Sequence, residues 1–96
     1  MSTSIFTLYV TGHSHRTSLA IENLTSLLEE VLQNEYDLKI IDVLDNPKIA
    51  EEQLILATPT LVRSFPFPTV RLVGDLSDRD GLLCALGWSG PSSHFG

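Results

Sequence analysis

The chain has 96 residues, 43% of them hydrophobic and 19% charged. That is enough apolar material for one small globular domain and too little length for two, so residues 1–96 are read as a single domain. Twelve acids against six Lys and Arg leave a net charge of −6, without the basic footprint that a nucleic-acid binder needs.

No run approaches the roughly 20 apolar residues that span a bilayer, and the first residues show no signal-peptide pattern, so a cytoplasmic protein that enters no membrane is expected. The lone Cys84 permits neither an internal disulfide nor a dithiol, which fits a reducing compartment. A domain of this size buries roughly 60 to 70% of its unfolded surface. So thin a core gains stability by association, and a homo-oligomer is expected. Charge is unevenly spread: residues 22–52 carry nine acids and two lysines, whereas residues 53–96 hold three acids and three arginines. The acidic stretch reads as a solvated face that keeps the protein soluble.

Residues 5–11 alternate, with Phe6, Leu8 and Val10 toward one face and Ile5, Thr7 and Tyr9 toward the other, which predicts a strand. Residues 12–17 form a polar turn. Ala20, Leu24, Leu27, Leu28, Val31 and Leu32 then recur at helical spacing until Asn34, predicting the longest helix. The β-rich run over residues 38–43, reached through that helix, implies a right-handed βαβ unit with parallel strands. Asn46-Pro47 reads as an N-cap followed by proline at the first helical position. It opens a short helix that carries Ile49, Ala50 and Leu54 and ends before Pro59. Residues 60–65 and 69–73 are β-like, separated by the hairpin connection Pro66-Phe67-Pro68. Ser77 with Asp80 resembles a capping box, and Leu82, Leu83 and Leu86 follow before Gly87. The order is βαβαββα, an α/β class, with residues 89–96 as a short mobile tail.

Few residues carry chemistry. His13 and His15 have no acidic third ligand at suitable spacing, so two solvent-facing loop histidines and no metal are expected. Asn23-Leu24-Thr25 matches a glycosylation sequon but falls inside the predicted helix, where chance accounts for it. Cys84, on the apolar face of the last helix, is expected to be a buried small hydrophobe. Arg63 and Arg71, on neighbouring predicted strands, could meet an acidic partner surface. Trp88 ends the last helix, as a subunit anchor if exposed or as the closure of the core if buried.

The βαβαββα order, with Thr58-Pro59-Thr60 just ahead of the third strand, resembles the thioredoxin fold. In that family the equivalent proline is cis and faces the active site, and the redox pair sits in the turn after the first strand. Here that turn reads Gly12-His13-Ser14-His15, without cysteine, so the resemblance implies the scaffold and not the catalysis. Ser14 occupies the position where glutathione-binding relatives of the fold place a serine or cysteine, and Thr58-Pro59 could offer its backbone to a peptide-like ligand. That enzyme reading lacks a base near the serine and ranks below a cofactor-free binding module.

Several segments resemble the KaiB family of cyanobacterial circadian-clock proteins more closely. They are Leu8-Tyr9-Val10-Thr11-Gly12, Ile41-Asp42-Val43-Leu44-Asp45-Asn46-Pro47, Ala50-Glu51-Glu52, Ile55-Leu56-Ala57-Thr58-Pro59-Thr60-Leu61 and Gly74-Asp75-Leu76-Ser77. The likeness runs without a gap from about residue 8 to residue 86. It implies a non-enzymatic clock protein that binds a KaiC-type ATPase ring, competes there with the thioredoxin-like sensor domain of the kinase SasA, and captures KaiA or a functional equivalent. It also implies two folds: a βαβαββα monomer that binds KaiC, and a resting βαββααβ form that assembles as a tetramer. The short apolar runs at residues 53–56 and 70–76 are compatible with both, because each reads as strand or helix. The fold-switch region implied in this way contains Thr58, Pro59, Pro66, Pro68, Ala85 and Gly87. Asp45, Asn46, Glu51 and Glu52 lie in or beside it and join Arg63 and Arg71 as partner-binding candidates. The chain departs from the family pattern at Leu19, where an arginine is common, and at Ala85-Leu86-Gly87, in place of Gly-x-Asp. It also lacks a long acidic C-terminal tail. These departures suggest a divergent paralogue serving a different KaiC-like partner.

Overall fold

Alternation in the first strand decides which side of the sheet is covered. In the computed structural model, which describes residues 3–65, 67–74 and 79–86 (Arg79 and Ala85 by backbone alone), β1 (Ser4–Val10) runs through the middle of the sheet. It pairs in parallel with β2 (Tyr36–Asp42) and antiparallel with β3 (Thr60–Phe65). β4 (Val70–Val73) adds to β3, for the strand order β2-β1-β3-β4. Helices α1 (His15–Leu32), α2 (Pro47–Glu52) and α3 (Arg79–Ala85) complete the βαβαββα order read from the sequence.

Phe6, Leu8 and Val10 face the same side as Leu61, the cross-strand partner of Leu8. Ala20, Leu24, Leu27 and Leu28 of α1 cover them together with Leu82 and Leu86. The helical spacing of the α1 residues is what allows one stripe to bury them all, each fully buried leucine contributing about 1.5 to 3 kcal/mol over an exposed one. On the opposite face the cross-strand pair Tyr9 and Thr60 is buried, whereas Ile5 and Val73 stand exposed.

Boundaries differ from the reading where local signals compete. α1 begins at His15 instead of after Thr17, because Ser14 caps it. β2 begins at Tyr36, paired with Ser4. α2 stops at Glu52, and Leu54 lies outside it with φ +56°. The Ile55 N–H donates to the Ala50 carbonyl (2.8 Å) and the Leu54 N–H to that of Glu51 (3.1 Å). Those two bonds are a Schellman termination, in which the residue at the position of Leu54 must be left-handed. Residues 53–56 are accordingly neither strand nor helix, while residues 70–73 are strand. The Ser77 cap, the second half of the 70–76 run and the 89–96 tail lie outside the described residues.

Candidate functional site

The turn after β1 is built from short-range polar contacts. Ser14 is extended (φ −86°, ψ 169°), and its Oγ accepts the Thr17 N–H at 3.2 Å, satisfying one of the donors that a helix start leaves open. The Ser14 hydroxyl donates in turn to Thr17 Oγ1 (3.2 Å), which donates to the Thr11 carbonyl (3.4 Å). Gly12, at φ +68°, presents its N–H to Asp42 Oδ1 at 3.1 Å. The same oxygen accepts the Leu44 N–H at 2.9 Å. These two backbone donors, with a smaller contribution from His13, hold the Asp42 carboxyl below the usual aspartate range.

Across from this turn runs the loop into β3, with Thr58–Pro59 as a cis peptide. The Thr11 and Thr58 hydroxyls meet at 2.6 Å. Between turn and loop lies a groove of about 340 Å³ with an apolar floor of Val10, Leu19, Ala20 and Pro59. Thr11, Ser14, Arg16 and Thr58 supply a polar rim. None of its lining residues is acidic, and the positive end of the α1 dipole lies beside it. In a chain of net charge −6 this is a concave surface suited to a neutral or acidic segment with an apolar anchor.

The fold brings some candidate residues together and separates others. Thr58 and Pro59 join Ser14 at the groove. Asp45, Glu51 and Glu52 are exposed on α2 and the turn before it. Asn46 occupies the N-cap position of α2 without a side-chain capping bond, and its Nδ2 donates to the Asp42 carbonyl at 3.0 Å. Arg71 reaches from β4 to the end of α2, donating to the carbonyls of Gln53 (2.7 Å) and Leu54 (3.2 Å). That fastens the loop that carries Leu54 and Leu56 and runs on into Thr58.

Arg63, expected at a partner surface, is buried instead: it shares the inward parity of Leu61, and its guanidinium bonds backbone carbonyls, Pro68's among them. Cys84, expected inside, is exposed, since Leu82 and Leu86 define the inward stripe of α3 and Cys84 points away from it. His13 does have an acid nearby, Asp42, with Nε2 to Oδ2 at 3.9 Å; the pair forms only through the fold. No cluster of three His, Cys, Asp or Glu converges among the described residues. Pro66, Gly87 and Trp88 lie outside the described residues, as does the Ala85 side chain. The Ser14 hydroxyl is committed to capping, and no general base contacts it among the described residues, so the glutathione-enzyme alternative has no activated nucleophile.

The β2-β1-β3-β4 sheet with α1 and α3 on one face, and a first turn without a thiol, define a thioredoxin-like domain with a groove beside that turn. The chain belongs to the KaiB family of circadian-clock proteins, whose KaiB domain matches residues 7–88. It is 49% identical over 84 residues to the circadian clock oscillator protein KaiB of Synechococcus elongatus, covering 88% of this chain and 82% of that one. Identity to the KaiB of Microcystis aeruginosa is 48% over 84 residues, 88% of this chain and 81% of that one. Among solved structures, the N-terminal domain of Synechococcus elongatus SasA superposes with TM-score 0.74 at 24% identity, covering 91% of this chain and 86% of that one. Mitochondrial thioredoxin 3 of Saccharomyces cerevisiae gives 0.68 at 17% identity, covering 91% and 79%. These two likenesses concern the fold alone. The family is one of clock proteins and not of enzymes. No described helix is long and apolar enough to cross a membrane.

Proposed function

We propose that the chain is a clock component that binds a KaiC-type ATPase ring and modulates its phosphorylation cycle, with the groove beside α1 and the loop over residues 53–58 as the contact surface. The observation that carries this reading is a non-acidic groove accompanied by outward leucines. Leu19, Leu54 and Leu56 are 43%, 69% and 93% exposed, and large exposed apolar side chains beside a polar rim mark contact surfaces. The KaiB relatives support the partner class. In this reading the assembled complex captures KaiA or a functional equivalent and excludes SasA. Asp45, Asn46, Glu51, Glu52 and Arg71 border the surface, no cofactor takes part, and the protein works in the cytoplasm as one domain. At rest the chain is a homo-oligomer, tetramer or dimer, in a βαββααβ arrangement, and capture follows refolding of residues 51–86.

A pull-down against purified KaiC-type ATPases, with and without nucleotide, tests the reading. Wild type is expected to capture a ring, and Leu19→Glu and Leu56→Glu to weaken capture at least tenfold while leaving unfolding curves unchanged. Failure to bind any ring, or glutathione transfer to a standard electrophile, would overturn it.

A further inference from the structure

Arg63 is the one Lys or Arg that is buried among those whose side chains are described, at 9% exposure. The pairing register places it on the core face of β3, opposite Phe6 of β1 and Val70 of β4, where an apolar residue is the ordinary choice. Its Nη1 donates to the Leu86 carbonyl, just past α3, at 3.0 Å. Its Nη2 donates to the Pro68 carbonyl in the β3–β4 turn at 3.3 Å. Nε finds no acceptor, and no carboxylate pairs with the guanidinium among the described residues. A charge removed from water with so little compensation is costly, and among the described residues the carbonyls of Leu86 and Pro68 are what offset that cost, so losing either segment leaves the guanidinium still less satisfied.

α3 in particular needs such a tie. α3 has seven residues, too few to be helical without tertiary support. Its final carbonyls are among those a helix leaves unpaired, and its last turn contains no basic residue. Arg63 supplies the missing cation from another element. The planar fork of one guanidinium aims a separate nitrogen at each carbonyl, whereas an ammonium would have to reach both from a single nitrogen.

We infer that Arg63 is a latch that makes the end of α3 and the β3–β4 turn hold or open together, independently of β1, α1 and β2. The latch stands whether or not the chain refolds on meeting a partner. If it does refold, the latch makes the release of α3 and of the turn one event.

Native-state hydrogen exchange on wild type, Arg63→Met and Arg63→Lys tests this. In wild type, the amides of α3 and of residues 67–73 are expected to open with one shared denaturant dependence. In Arg63→Met, which keeps most of the stem and loses every donor, both sets exchange at least tenfold faster and with separate dependences, while α1 and β2 stay within twofold. Arg63→Lys, with charge but no fork, falls between and decides the matter if the Met variant does not fold. Unchanged exchange in the folded variants, or acceleration spread equally over α1, would overturn the latch.

Discussion

Replacing Leu54 by glycine is expected to leave the protein more stable than replacing it by alanine, the reverse of the usual order. Leu54 sits at φ +56° because the Schellman bonds that end α2, Ile55 N–H to Ala50 and Leu54 N–H to Glu51, require a left-handed residue there. A Cβ in that region approaches the following carbonyl and costs about 1 to 2 kcal/mol. Glycine removes the clash and gives back part of the gain through its freer unfolded chain, leaving a net preference over alanine of about 1 kcal/mol. Both variants lose the same leucine, which is 69% exposed, so the comparison isolates the backbone. The same pair of residues at position 50, where Ala50 lies inside α2, should show the opposite sign, with glycine about 1 kcal/mol worse. Guanidinium unfolding with the m-value held equal reads both differences, and in heating the Leu54 pair should separate by about 4 to 8 °C. Alanine equal to or better than glycine at position 54 would refute the termination geometry. If the loop is the contact surface, both Leu54 variants also weaken ring capture, so affinity falls whichever way stability moves.

Leu61→Ala is expected to cost about 2 to 5 kcal/mol, since Leu61 is fully buried between β1, β4 and the helices, whereas Leu56→Ala, at 93% exposure, should stay within about 0.5 kcal/mol. Urea unfolding of the two variants checks the contrast, and equal losses would mean the core is misplaced. Asp42 has a folded-state pKa below its ordinary value because it accepts the Gly12 and Leu44 N–H groups. Its contribution is therefore complete above the ordinary aspartate value, about 3.9, and is lost as pH falls through the lower folded value. The stability gap between wild type and Asp42→Asn should narrow below about pH 4; a gap constant from pH 6 to pH 2 would contradict the assignment.

Some of this was legible in the residues, for local reasons. β3 spans residues 60–65 as read, because Pro59 and Pro66 punctuate both ends of a short run that contains the strand formers Thr60, Val62 and Phe65. α1 was legible from its buried stripe, but its first turn, His15-Arg16-Thr17, contains no apolar residue to extend the period; only the capping serine marks it. Leu54 fits a helical spacing that extends α2, because leucine gives no warning of a left-handed position that glycine would announce. Arg63 shares the parity of Leu61 two residues earlier, which points it inward, while its charge predicts exposure; in the fold the parity prevails. The Gly12–Asp42 contact and the groove could not be read at all, since Gly12 meets Asp42 only once β1 pairs with β2, and Thr11 meets Thr58 only once β1 pairs with β3.

The two halves of the chain are held by different means, and this bears on the proposed refolding. Phe6, Leu8, Leu24, Leu27 and Leu28 lie fully buried in β1 and α1, so the βαβ half carries most of the tightly packed apolar volume. Past β2, α2 buries no residue, and every residue of β4 is half-buried or exposed. Among the described residues, what ties this half down beyond the backbone ladder of β3 on β1 is a short set of side-chain contacts: Leu61, Leu82 and Leu86 in the core, Arg71 on the loop after α2, and Arg63 between α3 and the β3–β4 turn. Free energies of local opening follow buried contacts, so the second half can detach at a cost well below that of unfolding β1 and α1. A protein that had to present one surface and then another could keep the first half as a fixed template and place the change from about Glu51 onward. The core residues of this half and Arg63, which lie away from the proposed contact surface, are then the ones whose substitution should alter how fast a partner is captured without touching the partner itself.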